Sequence, residues 1–260
     1  MTLDQLENIF QNNFEKFSNA INFISKNQHL KNKVDIIFNA KALINREPAK
    51  EKIRLIFIDA LSAAGGSNLT RNGVACRNFN QKINQLPDSD QVNLKCFYTC
   101  FDQNINNITG LYDYLHSSDE IVNFGKKKSA LFIYKLNWLQ TNLNPEQKIF
   151  NKYNVNISDL IIPVDIVITL LINKLLSIPD NLLLDQYKDF DLINSFFKSK
   201  MGANFLLIED FWFWGYFTTK GRDRERTFEF NDDKFDSSDF IKPTEQNRQY
   251  FYDFLDILNG

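Results

Sequence analysis

The sequence predicts an all-α fold. Phenylalanine is abundant (25 residues) while glycine (9) and proline (6) are scarce, so helix-breaking positions are few and apolar side chains plentiful. Apolar residues also recur at three- and four-residue spacing, beginning with Leu3, Leu6, Phe10, Phe14, Phe17 and Ile21. No internal repeat and no linker long enough to separate independent domains interrupts the 260 residues, which read as one helical domain.

Thr2 and Gln5 stand three apart ahead of the first apolar stripe, the spacing at which each side chain can cap the other's amide. A second helix is expected over KVDIIFNAKALI (33–44). A third starts near Pro48, whose fixed φ suits a first helical turn, and stops at Gly65-Gly66. GGSNLTRNGVACRNF (65–79) mixes turn residues with Arg71 and Arg77 and reads as a functional-length loop leading into a helix. After Pro87 a helix restarts, with Cys96 and Cys100 one turn apart on its core side.

Ser117 and Glu120 repeat the capping pattern and open a short helix through Ile121 and Val122. NFG breaks it at Gly125, and KKKSALFIYKLNWL runs on as a new helix, giving a helix-hairpin-helix over about 117–140. A polar, asparagine-rich connection fills 141–161. The helix over about 162–178 has Pro163 and Asp165 in its first turn, and GANFLLIEDFWFWGYF (202–217) forms another with two tryptophans. TFEFNDDKFDSS (227–238) holds a short strand or loop, and KPTEQNRQYFYDFLDIL (242–258) closes the chain as an amphipathic helix.

Composition narrows the function. A net charge of −2 and a pI near 5.8 give no global basic field, so a nucleic-acid partner must be met by a local patch. Cys76, Cys96 and Cys100 sit at no metal-ligand spacing and only His29 and His116 could assist, so no metal is expected. Free thiols suit a reducing cytoplasm. MTLDQLENIF lacks a basic stretch followed by an apolar core, so no signal peptide is expected there. LIIPVDIVITLLINKLL is interrupted by Pro163, Asp165 and Asn173 and reads as a buried helix, not a membrane span. A cytoplasmic location follows.

GKKKSALF (125–132) poses the sharpest question, because three lysines crowd a helix start that already carries positive potential. Each costs about 0.3–1 kcal/mol there when exposed. Either the lysines splay into water or an anion sits among them. Gly125, Lys126 and Lys127 then become candidates for holding a backbone phosphate. Asp165, taken alone, reads as a cap for the exposed amides of its helix.

GKKKSALFIYKL followed by IIPVDIVITLL resembles the helix-hairpin-helix DNA glycosylases, and within them the archaeal 8-oxoguanine DNA glycosylase branch (AGOG). The shared features are a lysine before a small residue and an apolar-apolar-Phe step, an I-P-V-D after a long connection, and a W-x-x-G step at Trp212–Gly215. The resemblance spans roughly 117–215, with a fainter echo in RLIFIDALSAAGG (54–66). It implies two helical subdomains flanking a cleft, and a monomer that acts on double-stranded DNA carrying a damaged base, without a cofactor or membrane. It implies excision of an oxidised purine such as 8-oxoguanine, with abasic-site lyase activity through a lysine Schiff base. Lys128 takes the nucleophile's place, with Lys127 as the alternative, and Asp165 that of the catalytic carboxylate. Phe132 and Trp212 match positions that sandwich the extruded base, although core packing suits both residues too.

The chemistry needs these residue types. A carboxylate stabilises the cationic sugar of the transition state, and a neutral amine attacks the anomeric carbon. Burial and cationic neighbours push a lysine's pKa down, and aromatic faces recover about 1–3 kcal/mol per unstacked base. The chain also departs from the pattern. VNFG (122–125) replaces leucine-proline-glycine, and one extra residue separates Gly125 from Lys128. No cysteine follows Cys100, which excludes a four-cysteine iron–sulfur cluster. The branch's late acidic position falls on Ile208, with Glu209 and Asp210 out of register. The rival is a non-catalytic helical DNA-binding or protein-interaction module that retains the hairpin, favoured by the acidic balance and the altered hairpin.

Overall fold

The reciprocal cap forms as its spacing requires. Thr2 Oγ1 accepts from the Gln5 amide and Gln5 Oε1 accepts from the Thr2 amide, starting α1 (Leu3–Asn12). The N-terminal stripe then divides. The Asn13 side chain donates to the Ile9 carbonyl, a local bond that competes with the helical one, and α2 (Phe14–Lys26) begins afresh. The computed structural model describes residues 1–32, 47–63, 69–238 and 241–260. Among them are thirteen α-helices and no strand, with isolated bridges at Val92–Phe150 and Lys220–Thr227. The expected helix over 33–44 and the stop at Gly65-Gly66 lie outside the described residues. The chain divides into two compact units, Met1–Ile37 with Val164–Gly260, and Phe38–Pro163.

In the first unit, α1 and α2 are followed by α3 (Gln28–Asn32). The first described helix of the second unit is α4 (Ala49–Ser62), with Pro48 just ahead of the first turn. Of the stretch expected to be a loop (65–79), residues 65–68 lie outside the described residues and the rest belongs to α5 (Leu69–Ile83). Burial of Ala75, Phe79 and Ile83 along one face outweighs the weak helix propensity of Asn72 and Gly73. The helix expected after Pro87 is confined to α6 (Leu94–Thr99), because Asn93 Oδ1 takes the Lys95 and Cys96 amides and so sets the start there. Cys100 is buried as expected, whereas Cys96 is exposed.

The hairpin also differs from expectation. A ten-residue helix, α7 (Ile108–Ser117), precedes it and ends where the sequence suggested a beginning. Ser117 Oγ donates to the Asp113 carbonyl, and Glu120 is drawn to Lys82 (2.9 Å) and the Tyr114 hydroxyl (2.6 Å). With both capping side chains engaged elsewhere, no helix forms through Ile121 and Val122. Residues 118–125 are a turn, and α8 (Lys126–Asn142) follows. In its last turn Gln140, 3% exposed, bonds the backbone of Ile149 and Phe150 and anchors the 141–161 connection there. The core of this unit is a phenylalanine cluster in which Phe57 stacks on Phe79 (3.7 Å) and Phe124 (4.6 Å).

The first unit resumes at Val164 with α9 (Ile166–Leu175) and α10 (Phe190–Met201). GANFLLIEDFWFWGYF is not one helix but a 3-10 turn over Gly202–Ile208 and then α11 (Phe211–Thr218). Gly202, whose positive φ of 53° favours glycine, closes α10 ahead of this stretch. TFEFNDDKFDSS supplies the bridge at Thr227 and α12 (Asp232–Asp236), and α13 (Glu245–Asn259) closes the chain behind a Thr244 cap. Phe10, Phe17, Phe196 and Phe197 form one part of the core, and Trp214, Phe217, Phe251 and Phe254 another. Among the described residues no helix is long and apolar enough to cross a membrane.

Candidate functional site

The start of α8 answers the question raised by its three lysines. Gly125 is the N-cap, with an ordinary φ of −71°, and a Cβ placed there would meet nothing within 4 Å. The turn therefore does not demand glycine. The left-handed position is Asn123 (φ 62°), which sequence reasoning passed over, although asparagine is the residue beside glycine that best tolerates it. Asn123 Nδ2 donates to Asn72 Oδ1 at 2.6 Å and ties the turn to α5. What glycine does provide is an uncovered helix end.

The lysines are not equivalent. Lys126 and Lys127 are half-buried, while Lys128 turns inward and is 9% exposed. Its Nζ donates to the Asn123 carbonyl at 3.1 Å, and the adjacent Ser129 Oγ donates to the Phe124 carbonyl at 3.1 Å. Burial, and secondarily the Lys127 charge, hold the Lys128 pKa below its ordinary 10.5. An amine that gives up its proton more readily is what nucleophilic chemistry requires.

Asp165 is 7% exposed and is the N-cap of α9. Its Oδ1 accepts from the Ile168 amide at 2.9 Å, and its carbonyl accepts from Thr169 Oγ1 at 2.6 Å. It belongs to the unit that resumes at Val164, and Lys128 to the Phe38–Pro163 unit.

Of the two aromatic candidates, Phe132 is fully buried. Phe57 and Phe79 meet it edge to face at 5.9 and 5.6 Å, so it packs as core and leaves no ring face for a base. Trp212 is half-buried and stacks on Tyr216 at 5.4 Å and 29°. Trp214, 1% exposed, takes the core position beside it. Near them Asp210 is 4% exposed and accepts from Gln28 Nε2 at 2.5 Å.

One feature was missed in the sequence. Lys135, 7% exposed on α8, is ion-paired with Asp59 of α4. Its place seven residues after Lys128 puts both lysines on one helix face about 10 Å apart, a spacing legible in GKKKSALFIYK. A hollow of about 540 Å³ in the same unit is lined by Gln91, Gln140, Lys148 and Tyr153 among others, and not by Lys128. Among the described residues no group of three side chains could hold a metal ion. No protein-family model matches the chain, and no curated protein or solved structure is significantly similar to it.

Proposed function

We propose that the chain is a DNA glycosylase with abasic-site lyase activity, acting on an oxidised purine such as 8-oxoguanine, with Lys128 as the nucleophile. The single observation that carries this reading is the Lys128 amine, enclosed behind a helix N-terminus and less basic than an ordinary lysine. In the proposed reaction its nitrogen lone pair attacks the anomeric carbon. The glycosidic electron pair leaves with the base, which takes up a proton. The C1′–O4′ bond then breaks, O4′ taking the proton that the attacking nitrogen gives up, to leave a Schiff base, and loss of a C2′ proton expels the 3′ phosphate. Asp165 stabilises the cationic sugar, and Trp212 offers a stacking face. Gly125, Lys126 and Lys127 receive a backbone phosphate, which offsets the charge crowded at the end of α8. Phe132 supports α8 from the core.

The test is cleavage of a duplex carrying one 8-oxoguanine. Wild-type chain is expected to excise the base and nick the strand, and Lys128→Gln to lose about 10³-fold or more of the rate. A Lys128→Gln variant as active as wild type refutes the assignment. Burial of Phe132 and the turn in place of a short hairpin helix favour the second reading, a helical DNA-binding or protein-interaction module without catalysis. On that reading the duplex is bound or ignored but never cut.

A further inference from the structure

A second cationic feature lies in the unit that resumes at Val164, away from the α8 lysines in the chain. Arg226 lies within the segment closed by the Lys220–Thr227 bridge, and Lys234 is on α12. Both are half-buried. The fold fixes them from the same two residues. Arg226 Nη1 donates to Thr219 Oγ1 at 3.2 Å. Asn231 Nδ2 donates to the Thr219 carbonyl at 2.9 Å, and Asn231 Oδ1 receives the Lys234 amide at 3.2 Å. Lys234 Nζ donates to the Tyr216 carbonyl at 3.2 Å and stands 4.4 Å from the centre of the Tyr216 ring, whose stacking partner is Trp212.

Two like charges held together in this way need an explanation. Burial, and secondarily the Arg226 charge, lower the Lys234 pKa. Of the acids close in sequence, Glu229 pairs with Lys220 and Asp232 with Arg248 and Lys220, while the adjacent Glu225 and Asp233 are exposed and paired with neither cation. Among the described residues neither Arg226 nor Lys234 is in an ion pair, and Arg226 Nε is buried without a hydrogen-bond partner. A buried guanidinium donor left without a hydrogen-bond partner, on a cation in no ion pair, is costly unless an anion completes the arrangement. Guanidinium and ammonium donors suit a phosphate, and the adjoining stacked rings suit a planar base.

We propose that Arg226 and Lys234 form a phosphate site beside the Tyr216–Trp212 stack, and that its ligand is a nucleotide unit, free or within a single strand. The site involves neither Lys128 nor Asp165. It shares only Trp212 with the function proposed above, so it stands or falls separately from the lyase chemistry.

The test follows the Arg226 Nε–H and Trp212 indole signals of the full chain by proton–nitrogen-15 spectroscopy. Inorganic phosphate, thymidine, thymidine 5′-monophosphate and a short oligothymidylate are added in separate titrations. Phosphate is expected to move the Arg226 signal, and the monophosphate to move both signals and bind about tenfold or more tightly than thymidine. Arg226→Gln and Lys234→Gln are each expected to weaken the monophosphate by about tenfold. Tighter binding of the oligonucleotide, lost in the same variants, assigns the site to a strand, and equal binding assigns it to a free nucleotide. The proposal is overturned if the Arg226 signal of the wild-type chain ignores every phosphate-bearing ligand, or if variants of unchanged helical content bind like wild type. Borohydride trapping at Lys128 reads none of these residues and keeps the two proposals distinguishable.

Discussion

Lys128 holds its amine against a backbone carbonyl in a largely enclosed site, where solvation of the charge is lost and the Lys127 charge adds repulsion. Between the lowered folded pKa and the ordinary 10.5, the unfolded chain binds a proton that the folded chain does not, so stability contributed by this residue rises with pH across that window. The same displacement sets reactivity. The rate of Schiff-base formation is expected to climb with pH to an inflection below 10.5, and Lys127→Gln to move that inflection upward and slow the reaction at neutral pH. A pH–rate profile of both chains measures this. At Asp165 the cap and the charge can be separated. Asparagine caps a helix about as well as aspartate, so Asp165→Asn is expected to keep the unfolding midpoint while lowering activity by about a hundredfold, the scale of one electrostatic stabiliser. Asp165→Ala is expected to cost about 1 kcal/mol of stability in addition. Equal activity in Asp165→Asn reduces the residue to a cap.

Among the elements, α9 and α11 approach closely at Gly215. A Cβ on Gly215 would come 2.3 Å from Val167 Cγ1 and 2.9 Å from Leu171 Cδ1. Gly215→Ala is therefore expected to destabilise by about 1–3 kcal/mol, the usual cost of overpacking, read from denaturant unfolding. Gly125→Ala offers the contrast. With an ordinary φ and nothing within 4 Å, it is expected to leave the unfolding midpoint unchanged while weakening DNA binding through the covered helix end. Elements were legible in the sequence where a local bond decides them, as at the Thr2–Gln5 box and the Thr244 cap of α13. They were illegible where distant contacts decide. α5 owes its helix to burial of Phe79 against Phe57, which overrides asparagine and glycine in its first turns, and Ser117 and Glu120 lost their capping roles to Asp113, Lys82 and Tyr114. The candidate site divides in the same way. The smaller part of the reduced basicity of Lys128, the Lys127 charge, could be anticipated from the lysine run, whereas its burial depends on the fold and the enclosure of Phe132 comes from aromatic rings on α4, α5 and the turn before α8.

For the whole molecule, net charge is −2, so affinity for DNA has to arise from a few clustered cations. Neutralising two phosphates with Lys126 and Lys127 gives a log–log salt slope of about −2 for duplex DNA. A slope near zero in a salt titration points instead to a protein partner. The central claim is tested most directly by mixing the chain with an abasic-site duplex in the presence of borohydride, which reduces a Schiff base to a stable bond. The account predicts a covalent protein–DNA adduct whose modified peptide carries the sugar on Lys128. No adduct, or one mapped to another lysine and undiminished in Lys128→Gln, contradicts it.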